Sequence, residues 1–282
     1  MSIVQWNCRG LRANYEEILL ISNLCPTVIC LQETLVKSSD SVNLRGFSSY
    51  VSPASDTAAG GVAILIRDAP HSPVSLSTTL QAVAVRITLH RPITVCSLYV
   101  PPSSRLDDLL LEDLVRQLPS PFLLLGDFNA HSPLWGNCNT DSKGQVIENF
   151  LTNSDLFLFN DLSPTYFHPA TGTFTSIDLS ISSPSLALDF TWRVLSDSHG
   201  SDHFPIVLSS SEPSPCSRPP RWKLGSADWE EFQRQCERRL TPEVFDGGDD
   251  PVATFSDVLR SSFSVAALEP VVDLRGATAE TS

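Results

Sequence analysis

The chain lacks any apolar run near the ~18 residues of a membrane span. Its start, MSIVQWNCRG, places polar and charged residues where a signal peptide needs an apolar stretch. A soluble intracellular protein is therefore expected, neither secreted nor membrane-bound. It also lacks C-x-x-C pairs. Seven cysteines, at 8, 25, 30, 96, 138, 216 and 236, argue against a zinc site or a complete disulfide framework and read mostly as buried free thiols. Neither G-x-G-x-x-G nor Walker A spacing occurs, so Gly60-Gly61 before VAILIR reads as a turn with close backbone approach. Positive charge is scarce: 19 Lys+Arg against 32 Asp+Glu leave a net charge of −13. That balance argues against holding nucleic acid by bulk charge, and any phosphate-bearing partner needs a local cationic patch or a bound metal. No internal repeat or low-complexity tract is present.

What the chain does have is core material. It is 282 residues long and 41% hydrophobic, enough for one large domain or one domain with an appendage. Residues 1–208 alternate short apolar runs with turn signals. Residues 209–221, SSSEPSPCSRPPR, read as an extended Pro/Ser-rich linker. Residues 222–282 read as a partial helical tail, with Trp229, Phe232, Cys236 and Leu240 at helix spacing, and Trp229 and Phe232 read as core. Strands are expected at Ile3–Asn7, Thr27–Gln32, Gly61–Arg67, Ala82–Leu89, Ile93–Val100, Phe122–Gly126, Thr173–Ile181 and Phe204–Leu208. His90-Arg91-Pro92 turns one of these into the next as a hairpin. Helices are expected at 14–24, 105–118 and 143–153, the second with Leu106, Leu109, Leu110, Leu114 and Leu118 on its apolar face. Many strands with few helices predict an α+β sandwich of two packed sheets covered by helices.

Polar residues recur where an apolar strand ends. Asn7 closes IVQWN, Glu33 closes VICLQE, Tyr99 lies near the end of TVCSLYV, and Asp127 and Asn129 close FLLLGDFN. Asp178 lies within TFTSIDLSI, while Asp202 and His203 precede the last apolar run. Singly, such a residue reads as a turn former or cap. Together they suit a pocket at one end of the sandwich. Hard oxygen donors such as Glu33 and Asn7 suit Mg²⁺ or Mn²⁺, not zinc. A histidine oriented by a carboxylate can stabilise developing negative charge, and a second carboxylate can activate water. Those parts describe metal-assisted attack of water on a phosphodiester. Outside the set, Arg9 and Arg12 read equally as phosphate-facing or as solvated surface. His131 and Trp135 read as packing.

The motifs QWNCRG, LQET, YVPP, GDFNAH, SIDLSI and SDHFP, in that order, resemble the endonuclease/exonuclease/phosphatase superfamily. GDFNAHSPLWG, Pro164-Thr165 and TSID at 175–178 are similar to the endonuclease domain of non-LTR retrotransposon polyproteins, which is related to apurinic/apyrimidinic endonucleases. The resemblance covers about residues 1–208. It implies a DNase I-like, four-layer αββα sandwich of two mixed sheets. It also implies a Mg²⁺-dependent endonuclease (Mn²⁺ as substitute) with DNA as substrate and hence a nuclear site of action. Leu224 to Phe232 resembles the segment that precedes a reverse transcriptase in such polyproteins. No reverse transcriptase follows, so an isolated or truncated element product is expected, with no obligate protein partner.

By that resemblance Glu33 is the principal metal ligand, with Asn7 and Asp202 nearby. Asp178 orients His203 toward the scissile phosphate, Asp127 activates water, Asn129 fixes the transition state and Tyr99 contacts the phosphate. Thr165, Thr175 and Ser201 match secondary substrate-binding positions. Two departures stand out: Pro102 replaces an asparagine usual in the repair enzymes, and the net charge is acidic for a DNA binder. A phosphoesterase acting on lipid head groups or small phosphates, and an inactive transposon-derived fragment, are the competing readings.

Overall fold

The computed structural model describes residues 1–40, 42–54, 60–88, 91–210 and 228–241, with 258, 259 and 262. Internal contacts divide the chain into two units, Met1–Ser214 and Pro215–Ser282. Most of the Pro/Ser-rich segment and most of the tail lie outside the described residues.

Two six-stranded sheets form the first unit. One runs, edge to edge, β13 (Phe190–Val194), β14 (Ile206–Ser210), β1 (Ser2–Asn7), β2 (Val28–Gln32), β4 (Val62–Ile66) and β3 (Ser48–Ser52). The other runs β5 (His71–Val74), β6 (Gln81–Thr88), β7 (Pro92–Tyr99), β8 (Phe122–Asp127), β12 (Asp178–Ser182) and β9 (Phe157–Leu158). Each sheet holds one parallel pair, β1 with β2 and β7 with β8. A parallel pair needs a crossover. Helix α1 (Tyr15–Ser22) lies in the first crossover, and α2 (Asp108–Arg116) in the second.

Alternation along the strands sorts the core into three layers. Ile3, Val28, Ile64, Val85, Val95 and Leu123 fill the space between the sheets. Val4, Trp6, Ile29 and Leu31 face α1 through Ile18 and Ile21. On the far side, Leu98, Leu124 and Leu179 meet α2 and α3 (Ser142–Asn153) through Leu111, Leu114, Ile147 and Phe150. Helix, sheet, sheet, helix: the α+β four-layer sandwich is present.

Several expectations need correction. The segment 173–181 is not one strand. Asn137 Oδ1 accepts from the Ser176 N–H (3.0 Å) and its Nδ2 donates to the Ser176 carbonyl (2.6 Å), while Thr165 Oγ1 accepts from the Ile177 and Asp178 N–H groups (3.1 Å each). These bonds replace ladder pairing, so β11 (Thr173–Thr175) pairs with β10 (Tyr166–His168) as a separate ribbon, and β12 pairs with β8. Helix α2 starts at Asp108, where Asp107 caps the Leu109 N–H (3.0 Å). That turns Leu109 to solvent, 62% exposed, and puts Leu111 in the core. Of the six described cysteines, all free, Cys8, Cys30 and Cys96 are buried, whereas Cys25 and Cys138 are exposed. Gly60 and Gly61 do make a tight approach, at φ +90° and +86°: a Cβ on Gly61 would lie 2.7 Å from Thr34 Oγ1.

Within the second unit, α4 (Trp229–Arg239) is capped by Asp228, whose Oδ1 accepts from the Glu231 N–H (2.9 Å). Glu230 and Glu231 in its first turn and Arg238 and Arg239 in its last complement the helix dipole. Trp229, expected in a core, is half exposed. No described helix is long and apolar enough to cross a membrane.

Candidate active site

The two parallel pairs end at the same edge of the sandwich. Tyr99 pairs with Asp127 and Asp127 with Asp178 across three adjacent strands of one sheet. Asn7 pairs with Gln32, next to Glu33, in the other. Asn7 joins the sheets: its Nδ2 donates to Asp127 Oδ2 (2.8 Å) and to Glu33 Oε1 (3.1 Å). Behind it, Gln5 Nε2 donates to the Gly126 carbonyl (3.0 Å), and Ser180 donates to Gln5 Oε1 (2.8 Å). A Cβ on Gly126 would stand 2.1 Å from the Leu98 carbonyl, so glycine alone permits this approach.

Three residues at this edge occupy the left-handed region: Arg9 (φ 46°), Glu33 (φ 47°) and Asn129 (φ 48°). Asparagine tolerates that conformation, whereas for arginine and glutamate it costs about 1–3 kcal/mol. Surrounding bonds hold Glu33 there. Its carbonyl accepts from the Gly10 N–H (2.8 Å), and the next residue, Thr34, is tied to Gly61 (3.1 Å) and Leu11 (2.9 Å).

Asp127 is fully buried. Its Oδ1 accepts from the Asn129 N–H (2.9 Å) and its Oδ2 from Asn129 Nδ2 (3.0 Å). Asp178 Oδ2 accepts from Thr165 Oγ1 (2.7 Å) and lies 2.9 Å from His203 Nδ1, while its buried Oδ1 has no partner among the described residues. His203 Nε2 stands 3.9 Å from Asp127 Oδ2. Trp6 Nε1 donates to the His203 carbonyl (3.0 Å), and the Tyr166 ring lies 4.7 Å from the imidazole. Histidine thus sits between two carboxylates.

Burial alone would drive His203 toward neutrality, but the charge and hydrogen bond of Asp178, with Asp127 and Asp202 beyond, lift its pKa from 6.5 to about 9. Burial, only partly offset by the imidazolium of His203, pushes Asp127 well above the ordinary carboxylate range. Tyr99 is likewise raised, by burial and by the charges of Glu33 and Asp127. For His203 the folded value exceeds the unfolded one. Its stabilising contribution is therefore complete below about pH 6.5 and lost as pH rises through about 9. The raised Asp127 value works the same way at lower pH, since the folded state keeps a proton the unfolded state has released. In EDTA, the melting temperature is expected to be lower at pH 9.5 than at pH 6.5 by at least about 2–4 °C, the worth of about 1 kcal/mol in a domain of this size. His203→Gln should flatten that decline. A melting temperature that is level between those pH values in the unsubstituted chain would contradict the charged imidazole.

A cleft of about 490 Å³ opens above these groups. Glu33, Asn129, Asp202 and His203 line it, together with Arg9, Pro102, His131, Tyr166 and His168. Asn7, Tyr99, Asp127 and Asp178 are buried at the same strand ends without lining it. Asp202 is engaged by Arg9, whose Nη1 lies 2.9 Å from its Oδ2. Of the three secondary residues only Thr175 lines the cleft. Thr165 serves Asp178, and the Ser201 hydroxyl donates to the Asn7 carbonyl (2.8 Å) and accepts from the His203 N–H (3.2 Å). Trp135 is fully buried and packs as expected. His131, expected to pack in a turn, instead reaches the cleft wall. Sequence reasoning missed Tyr166 and His168, which the ribbon brings over the cleft. It also missed Lys143, a nearly buried ammonium that donates to the carbonyls of Pro101 (2.6 Å) and Pro102 (3.1 Å) and so holds the cleft's proline wall.

Residues 93–207, which carry Tyr99, Asp127, Asn129, Asp178 and His203, match the endonuclease-reverse transcriptase family. The superfamily resemblance read from the motifs is borne out. The RNA-directed DNA polymerase of the mobile element jockey from Drosophila funebris is 27% identical over 283 residues, covering 90% of this chain and 29% of that protein. The probable RNA-directed DNA polymerase of transposon X-element from Drosophila melanogaster is 26% identical over 253 residues, 87% of this chain and 26% of that protein. The chain thus spans under a third of these relatives. Among solved structures, the endonuclease domain of TRAS1, a telomere-specific non-LTR retrotransposon, superposes with a TM-score of 0.64 at 22% identity, covering 76% of this chain and 99% of that domain. The Xenopus laevis APE2 catalytic domain does so at 0.60 and 21%, over 77% and 94%. At those identities the structural likeness is one of fold, the endonuclease/exonuclease/phosphatase sandwich.

Proposed function

We propose that this endonuclease/exonuclease/phosphatase domain is a Mg²⁺-dependent DNA endonuclease that nicks a target strand to start reverse transcription. One observation carries the reading: a buried Asp178–His203–Asp127 array lies directly beside a separate oxygen-donor set at the same cleft. Glu33 and Asp202, which line the cleft, form that set with Asn7 buried behind Glu33, where its Oδ1 accepts from the Arg9 N–H (3.1 Å); hard oxygens of this kind fit Mg²⁺, with Mn²⁺ as substitute. Asp127, Asp178 and His203 also place one ligand atom each within 4.8 Å of one another, a spacing compatible with a metal ion. Both Asp127 oxygens, Asp178 Oδ2 and His203 Nδ1 are already engaged with one another or with Asn7, Asn129 and Thr165, and only Asp178 Oδ1 lacks a partner among the described residues, so a metal there would displace those bonds. Glu33 is the better anchor. Arg9, with its side chain 60% exposed, is free to leave Asp202 when an ion arrives.

A bound ion would supply Lewis-acid polarisation of a phosphate oxygen. The chain does the rest. His203, held charged by Asp178, donates from Nε2 to a phosphoryl oxygen and stabilises the charge that develops there. Asp127, fixed by Asn7 and Asn129, orients water and takes its proton. Asn129 holds the phosphate in line from the cleft wall, and Tyr99, buried at the end of the strand beside Asp127, would reach the phosphate only once it is seated that deeply. Thr175 contributes at the cleft wall, while Thr165 and Ser201 act through Asp178 and His203. That the relatives are RNA-directed DNA polymerases of transposons supports the insertion target as the DNA nicked and the nucleus as the site of action. Incubation of the full chain with supercoiled plasmid tests this: nicked circles in Mg²⁺ and none in EDTA support it. Cleavage only of phospholipid head groups or small phosphate esters would replace it with the sister activity.

A further inference from the structure

His131 follows the Asp127–Asn129 loop and lines the cleft. Its Nδ1 lies 2.9 Å from Asp141 Oδ2. Asp141 is itself fixed: its Oδ1 accepts from the Gly144 N–H (2.7 Å), capping α3, and its own N–H donates to the His131 carbonyl (3.1 Å). The loop and the helix start are pressed together so closely that a Cβ on Gly144 would stand 1.9 Å from the His131 carbonyl oxygen. The imidazole is nonetheless 41% exposed, and its Nε2 has no hydrogen-bond partner among the described residues. A carboxylate that holds one ring nitrogen of a rigid histidine while the other faces a cleft is an arrangement built to donate to an anion. The need is plain in a chain of net charge −13, where the sole arginine lining the cleft among the described residues is tied to Asp202.

We propose that His131, oriented by Asp141, binds a backbone phosphodiester of the DNA strand adjacent to the one hydrolysed. The inference rests on the nuclease reading and adds to it a second phosphate position on the wall formed by the GDFNAH loop. With Asp141 accepting from Nδ1–H, the ring turns Nε2 to the cleft, where a proton on it would donate to a phosphate oxygen. His131 is here a binding residue and Asp141 a positioning one.

The test uses His131→Gln, His131→Arg and Asp141→Asn in the full chain. Asparagine retains the oxygen that caps α3, so the helix survives. Nicking of a duplex is followed at varied substrate concentration in Mg²⁺, and duplex binding in EDTA is followed against salt. His131→Gln is expected to raise KM about tenfold, the loss of one charge-assisted hydrogen bond, with kcat within about twofold. The slope of log affinity against log salt should shrink by about 0.9, one phosphate contact. His131→Arg should restore that slope, and Asp141→Asn should move KM in the same direction by less. Unchanged KM and salt slope in His131→Gln, or a fall in melting temperature and kcat with the slope intact, would overturn the phosphate contact and leave the nuclease reading standing. Failure of the unsubstituted chain to nick in Mg²⁺ would overturn the nuclease reading, while the salt slope in EDTA would still report on His131.

Discussion

His203→Ala is expected to slow nicking by about 10²–10⁴-fold at saturating Mg²⁺, the range for loss of a positioned proton donor. Asp178→Asn should forfeit most of the same factor, because its Oδ2 holds Nδ1 at 2.9 Å and supplies the largest charge favouring the imidazolium. Asparagine removes that charge, and either end of its amide fits only one tautomer of a neutral ring. Groups that act as one unit are strongly non-additive, so the double variant should be little slower than His203→Ala alone. Both side chains are buried, so each variant also pays in stability. Rates are therefore normalised to folded protein, measured by thermal unfolding of the same samples. Independent losses that multiply would break the pair into two unrelated contributions, and intact rates with lowered melting temperatures would reduce it to a strand-end packing contact.

Glu33→Gln is the second large effect. The substitution keeps size and shape at a residue held at φ 47°, so the backbone there is not further strained. It replaces an anionic donor by a neutral one, and Mg²⁺ prefers carboxylates. Mg²⁺-supported nicking should fall by more than about 100-fold, the upper end of what losing a partner one step further from an ion costs. The concentration of Mg²⁺ needed for half-maximal rate should rise with it. Asn7 Nδ2 still finds the amide oxygen, so the melting temperature in EDTA should change little. Nicking by Glu33→Gln that matches the parent chain at low Mg²⁺ would remove Glu33 from the metal set.

The strand ends were readable because burial in this fold is one-dimensional along each strand. VICL and FLLLG are continuous apolar runs, buried on both faces as parallel neighbours are, and the polar residues that follow such a run mark the rim where Gln32, Glu33 and Asp127 stand. That is why the sequence alone gathers Asn7, Glu33, Tyr99, Asp127, Asp178 and His203 at one end. The ribbon was not readable, since its break at Ser176–Ile177 is made by Asn137 and Thr165, side chains 39 and 12 residues away along the chain. Edge strands such as SSYVS and HSPV are too polar to stand out from loops. The pairing of Arg9 with Asp202 spans 193 residues, and the aim of His131 is set by Asp141 rather than by its own segment. Periodicity reports burial and carries no information about which distant side chain a polar group meets.

The proposed hydrolysis of a DNA backbone in this cleft leaves a nick that can itself prime synthesis. The chemistry at the nicked end tests it most directly. Plasmid nicked in Mg²⁺ is repurified and given a DNA polymerase with labelled nucleotides, with and without prior phosphatase treatment. Immediate extension from a 3′-hydroxyl, unchanged by phosphatase, is expected. Extension that appears only after phosphatase, or an absence of nicks in Mg²⁺, would contradict it.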